Sequence, residues 1–156
     1  MLSWAKTNGY HVITAAHQVT GSPHTKVDCT FQTLIPYENM SGSVVNTSFD
    51  SVIGDFISGG GKHIVHLAGH EHDDFLYYTE NGVLNCAVEC ATTFLGWTEG
   101  ARVEGTKTYD CFNCIGADTD LGTFKIVRIG ANCDSHNRVK NVLSYDYINK
   151  RVLCNW

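Results

Sequence analysis

At 156 residues with 43% hydrophobic content, the chain has enough material for one compact core, and its composition asks for no second domain, so residues 1–156 are expected to form a single domain. A net charge of −5, with eleven Lys and Arg scattered rather than clustered, excludes the basic footprint that nucleic-acid binding needs. No apolar run approaches the length of a membrane span, and Met1-Leu2-Ser3-Trp4-Ala5-Lys6 lacks a signal-peptide core, so the expected address is cytoplasmic. Seven cysteines, odd in number and irregular in spacing, argue against a secreted disulfide framework.

Residues 2–8 read as the end of a helix stopped by Gly9, an odd beginning for a domain and a hint of truncation. His11-Val12-Ile13-Thr14-Ala15-Ala16-His17 is a short β-branched run that ends on a histidine and opens into the loop Gln18 to Pro23. The polar stretch from Gly21 to Thr47 reads as a loop near the active site, with Phe31, Leu34, Ile35 and Tyr37 available to anchor a strand or cover. Ser48 can then cap a helix whose apolar residues Phe49, Val52, Ile53, Phe56 and Ile57 share one face, ending at Gly59-Gly60-Gly61.

Ile64-Val65-His66-Leu67-Ala68 predicts a buried strand that leads into Gly69-His70-Glu71-His72-Asp73-Asp74. In an extended backbone, i and i+2 side chains share a face, so His70 and His72 can present two imidazoles to one spot at a strand end. Gly69 lets the backbone pass close to whatever they bind. Asp73 and Asp74 could accept the outward ring N–H groups and fix the tautomers; the alternative is a solvated strand edge. His17, at the exit of its own strand, is a third candidate ligand, against the alternative of a capped core histidine.

Downstream, Phe75 to Tyr78 and Val83 to Val88 are predicted strands around the turn Glu80-Asn81-Gly82. Gly96 to Lys107 reads as a loop. Tyr109 to Ile115 and Thr123 to Ile129 form a predicted hairpin around Gly116 to Gly122, whose acids are read as turn chemistry rather than a calcium loop. Val142 to Tyr147 and Arg151 to Leu153, around Asn149-Lys150, predict a terminal strand pair. Cys111-Phe112-Asn113-Cys114 would need two more ligands to hold zinc, and buried small apolar side chains are the plainer reading.

The order of these motifs, a strand ending in a lone His, an amphipathic helix, a strand ending in Gly-His-x-His-x-Asp, then a hairpin whose second arm reads Arg128-Ile129-Gly130-Ala131, resembles the second half of the calcineurin-like metallophosphoesterases, in their phage-associated and bacterial branch. The resemblance covers roughly residues 9 to 135. It implies a β-rich α/β fold, part of the family's two-sheet sandwich flanked by helices, and a metal-dependent phosphoester hydrolase. His17 matches the penultimate metal-ligand motif and His70 and His72 the last; His17 and His70 would ligate one ion and His72 the other. The ions implied are two divalent metals, Mn, Fe, Zn or Ni, which polarise phosphoryl oxygens and activate the attacking water.

The family's Asp-x-His, Gly-Asp and Gly-Asn-His motifs are absent from the residues before His17. Gly54-Asp55 imitates one of them but lies in the predicted helix, off its apolar face, and no role passes to Asp55. The resemblance therefore implies a carboxyl-terminal half, with no or very weak hydrolysis by the isolated chain. The alternative is a non-catalytic remnant or oligomeric interaction module of the same fold. His24 is a candidate for contacting the phosphate-ester substrate, with solvent exposure as its alternative. His66 is expected as a satisfied core histidine, and His63 and His136 as surface residues. The expected partners are a substrate and either the missing half or a second copy of the chain covering an open sheet edge.

Overall fold

The chain is described by a computed structural model that places residues 1–27, 47–70, 75–88, 105, 110–130 and 142–155. The expectations for the stretches 28–46, 71–74, 89–104 and 131–141, among them His72, Asp73, Asp74 and His136, lie outside the described residues. The fold is β-rich, with two sheets and few helices. The described residues gather into two compact units: one holds residues 1–26, 47–70 and 76–87, and the other is built on 110–130 and 142–155.

The first unit opens with α1 (Leu2–Thr7) and β1 (His11–Ala15), followed by β2 (Thr25–Lys26), α2 (Thr47–Ser58), β3 (Lys62–Ala68), β4 (Phe75–Tyr78) and β5 (Leu84–Ala87). Its sheet has the order β1-β3-β5-β4-β2, with β3 parallel to both β1 and β5. Parallel neighbours need a crossover, and α2 lies on the one between β1 and β3. A parallel strand covered on both faces reads as a continuous apolar run rather than an alternation. Accordingly Ile64, Val65, His66 and Ala68 of β3 and all of β5 are buried.

One irregularity interrupts the parallel pairing. Val12 faces His63 and Ile13 faces Val65, so β3 carries one extra residue, Ile64, opposite a single step of β1. Such a bulge changes which side chains share a face beyond it.

Helix α2 forms where the apolar spacing predicted, although it begins at Thr47, so Ser48 lies inside it rather than capping it. Its buried residues are Asp50, Ile53, Gly54 and Phe56. Val52, expected on the apolar face, is 51% exposed. The helix is turned so that an acid and a glycine face inward in its place. Asp55 is exposed, as expected. The hairpin between β4 and β5 turns at Glu80-Asn81-Gly82, where Gly82 has a φ of 76° that favours glycine and its N–H donates to Thr79 O at 3.0 Å.

The second unit is a four-stranded meander of β6 (Cys111–Asp118), β7 (Thr123–Gly130), β8 (Val142–Asp146) and β9 (Arg151–Asn155), each antiparallel to the next. Alternation fixes its register: Phe124 faces Tyr145 with ring centroids 5.5 Å apart, and Ile126 faces Leu143, all four buried. Arg128, on the same face, donates from Nε to Asn113 Oδ1 at 2.7 Å. The β6–β7 strands run on to Asp118, whose Oδ1 accepts the backbone N–H groups of Asp120 and Leu121, which is turn chemistry. In the β8–β9 turn, Asp146 accepts from the backbone of Ile148 and Asn149, the Asn149 amide and Arg151 Nε. Cys111 and Cys114 of β6 stand three residues apart and so point to opposite faces; Cys111 is buried and Cys114 exposed.

Among the described residues, no helix is long and apolar enough to cross a membrane.

Candidate functional site

Because β1 and β3 are adjacent and parallel, their carboxyl ends leave the sheet side by side, where open α/β sheets bind ligands. The chain after β1 is stitched to the chain after β3 by the backbone. Ala16 N–H donates to Leu67 O at 3.0 Å, and His17 O accepts from both Gly69 N–H at 3.1 Å and His70 N–H at 2.9 Å. The two histidines, 53 residues apart in the chain, are thereby held together. His70 Nδ1 lies 3.0 Å from His17 Nε2, with the rings edge to face at 79°. Both side chains are exposed.

A separation of 3.0 Å is chemically informative. Two imidazole nitrogens bound to one ion at about 2.0–2.1 Å stand about 2.9 Å apart at a right angle and about 3.4 Å apart in a tetrahedron. The observed separation of 3.0 Å falls within that span. Without an ion, one nitrogen donates its proton to the other's lone pair. At Gly69 a Cβ would meet no described atom within 4 Å beyond its own chain neighbours. Among the described residues, no group of three or more His, Cys, Asp or Glu stands close enough to hold a metal ion.

In comparisons with protein-family models, curated proteins and solved structures, nothing matches this chain.

Beneath the pair lies a layer of buried polar groups. His66 is fully buried, as expected, with its ring edge-on to Phe49 of α2 at 5.6 Å. Its Nδ1 is 2.9 Å from Thr14 Oγ1 and its Nε2 is 3.0 Å from Gln18 O. His63, expected at the surface, is only partly exposed: its Nε2 lies 3.0 Å from the same Thr14 hydroxyl, and its buried Nδ1 has no hydrogen-bond partner among the described residues. The reason for the difference is the bulge at Ile64, which brings His63 and His66, three positions apart, to one side chain of β1. Burial lowers the pKa of His63 to about 4, helped by the neighbouring His66. Burial also lowers that of His66, opposed by the Gln18 carbonyl and the charge of Asp50.

Asp50 is the residue that sequence reasoning missed. It is 5% exposed, and its carboxylate accepts from the Thr20 hydroxyl at 2.9 Å and the Asn81 amide at 2.8 Å. Thr20 in turn accepts from Asn85 Nδ2 at 2.9 Å and donates its backbone N–H to Asn85 Oδ1 at 3.0 Å. A Cβ on Gly21 would stand 2.8 Å from Asp50 Oδ2, and one on Gly54 2.7 Å from Asn81 Cβ, so the cluster is close-packed around both glycines. The available signal was the pair Asp50 and Gly54, four apart on the helix beside Ile53.

His24 is exposed and held by its backbone N–H to Tyr78 O at 2.9 Å. It lines a cavity of about 290 Å³ together with Asp50, Thr47, Ser51, Glu80 and Asn81.

Proposed function

We propose that this chain carries one part of a divalent-metal centre of the phosphoesterase type, with His17 and His70 as ligands to one ion and His72 as the ligand to a second. The carrying observation is the approach of His70 Nδ1 to His17 Nε2 at 3.0 Å, at the ends of adjacent parallel strands. A strand, a crossover helix and a second parallel strand followed by a hairpin also agree in order with the second half of the calcineurin-like sandwich. Bound metals would supply positive charge that polarises a phosphate ester and lowers the pKa of a water. The residues of this chain would orient the ions: two imidazoles held by a backbone stitch between the two strand exits.

The Asp and Asn ligands and the general-acid His of the family pattern have no counterpart before His17, so hydrolysis of a simple phosphate ester by this chain is expected to be weak or nil. A second reading is a non-catalytic module of the same fold. The mutual hydrogen bond of His17 and His70 favours it, because that bond gives each facing nitrogen a partner without any ion. Metal content of the purified chain and of His70→Ala, measured after growth with Mn, Fe, Zn and Ni supplied, separates the two. Metal that disappears with His70 supports the first reading; a wild-type chain without metal supports the second.

A further inference from the structure

We infer that Thr14 and His66 are positioning residues for the His17–His70 pair, acting through a one-directional hydrogen-bond relay that ends on the loop carrying His17. The inference rests on the metal-site reading for its functional meaning, but its geometry stands alone.

The direction of the relay follows from donor and acceptor chemistry. A backbone carbonyl can only accept, so the contact of His66 Nε2 with Gln18 O at 3.0 Å requires the proton on Nε2. Neutral His66 then has a bare lone pair on Nδ1, and the Thr14 hydroxyl, 2.9 Å away, must donate to it. Having spent its one proton, Thr14 Oγ1 can only accept from His63 Nε2 at 3.0 Å, which puts the His63 proton on Nε2 as well. The buried Nδ1 of His63 is left as a lone pair at the head of the chain. Burial keeps both rings neutral at neutral pH, as the relay requires.

The relay runs from His63 through Thr14 and His66 to the carbonyl of Gln18, the residue after His17. On the other side of His17, the backbone is pinned to β3 by Ala16 N–H on Leu67 O. His17 is thus clamped between a backbone bond and a side-chain bond from the same strand, β3, that delivers His70. Thr14 faces His66 directly in the β1–β3 register, and the bulge at Ile64 is what lets His63 reach the same hydroxyl. Partners that orient a metal ligand from behind typically cost about 10–100-fold in metal affinity when removed.

The test uses the full chain in wild-type form and as Thr14→Ser, Thr14→Val and Thr14→Ala, with His70→Ala as control. Nitrogen-15 NMR of the histidine rings reads the tautomers, and titration with Ni²⁺ alone reads the affinity. The expected result is an Nε2–H tautomer at both His63 and His66, with Thr14→Ser like wild type. Thr14→Val, or Thr14→Ala if the valine variant does not fold, shifts the ring signals of His17 and His70 and weakens Ni²⁺ binding about tenfold or more. An Nδ1–H tautomer at His66, or unmoved His17 and His70 signals in the hydroxyl-free variants, overturns the inference. A wild-type chain that binds no Ni²⁺ rejects the metal-site reading, while the ring signals still decide whether Thr14 and His66 position the pair.

Discussion

The backbone N–H of His70 donates to the carbonyl oxygen of His17 at 2.9 Å, so the two rings that meet at 3.0 Å are joined through the main chain as well as through their side chains. A ligand pair held this way is prepared before any ion arrives, which reduces the ordering that binding must supply. Moving either strand end therefore disturbs the pair even when both histidines are kept. A glycine-to-proline change at position 69 removes the N–H that donates to His17 O at 3.1 Å, and Gly69→Pro is expected to weaken Ni²⁺ binding by about tenfold, measured by calorimetry. Gly69→Ala keeps that N–H, and its added methyl meets no described atom, so it is expected to fold as wild type does.

The buried histidines give stability a pH dependence with a definite sign. His63 has a folded pKa of about 4, below its ordinary value of 6.5, and that of His66 is lowered too. The unfolded chain binds more protons at these positions between pH about 6.5 and about 4, so folding is favoured above that window and loses stability as pH falls through it. For His63 the loss amounts to at most about 3 kcal/mol. Urea denaturation at pH 7.5 and pH 5 is expected to show the lower midpoint at pH 5, and His63→Leu is expected to flatten the difference.

Asp50 anchors the first unit from inside. Asp50→Ala removes the acceptor of the Asn81 amide and leaves the Thr20 hydroxyl only the longer contact to Asn85 Oδ1 at 3.2 Å, and is expected to cost about 2–4 kcal/mol in urea denaturation. Gly21→Ala pushes a methyl to 2.8 Å from the same carboxylate and is expected to cost about 1–3 kcal/mol. Stability unchanged in either variant contradicts a close-packed cluster at Asp50.

How much of this was legible in the sequence depends on what each element had to satisfy. Strands β1, β3, β7 and β8, and the turn after β4, follow from apolar runs and turn residues, and they form where expected, while β6 runs on through Gly116 and Ala117, which had been read as turn. Helix α2 forms as predicted, but its inward face was misjudged at Val52. Periodicity weighs hydrophobicity and has no term for a buried acid that Thr20, 30 residues earlier, and Asn81, 31 residues later, will satisfy. His63 was misjudged because the strand was read as starting at Ile64, whereas β3 starts at Lys62 and its bulge at Ile64, invisible in a list of side chains, turns His63 to Thr14. Thr14 drew no attention for the same reason: its partners come from another strand. The two apolar runs marked His17 and His70 as strand-exit histidines one by one; that they belong together was implied by the family resemblance alone, because the parallel pairing of β1 with β3 that joins their exits is not legible in either run.

Among the described residues, β1 is the outer strand of its sheet, and Ile13 on it is 42% exposed. An open edge with an exposed β-branched side chain invites pairing with another strand. Self-pairing of a second copy along this edge is the expectation to test. Light scattering at micromolar concentration is expected to give a dimer that Ile13→Lys disrupts. A wild-type monomer counts against self-pairing.

If His17 and His70 act together on one cation, each depends on the other for its affinity. Calorimetric titration of Ni²⁺ into the wild-type chain, His17→Ala, His70→Ala and the double variant, with folding checked by circular dichroism, reads that dependence. The geometry predicts a wild-type site that each single substitution weakens by about tenfold or more, with the double substitution little worse than either alone, because one remaining imidazole no longer chelates. Equal Ni²⁺ affinity in the wild type and both folded variants would contradict it.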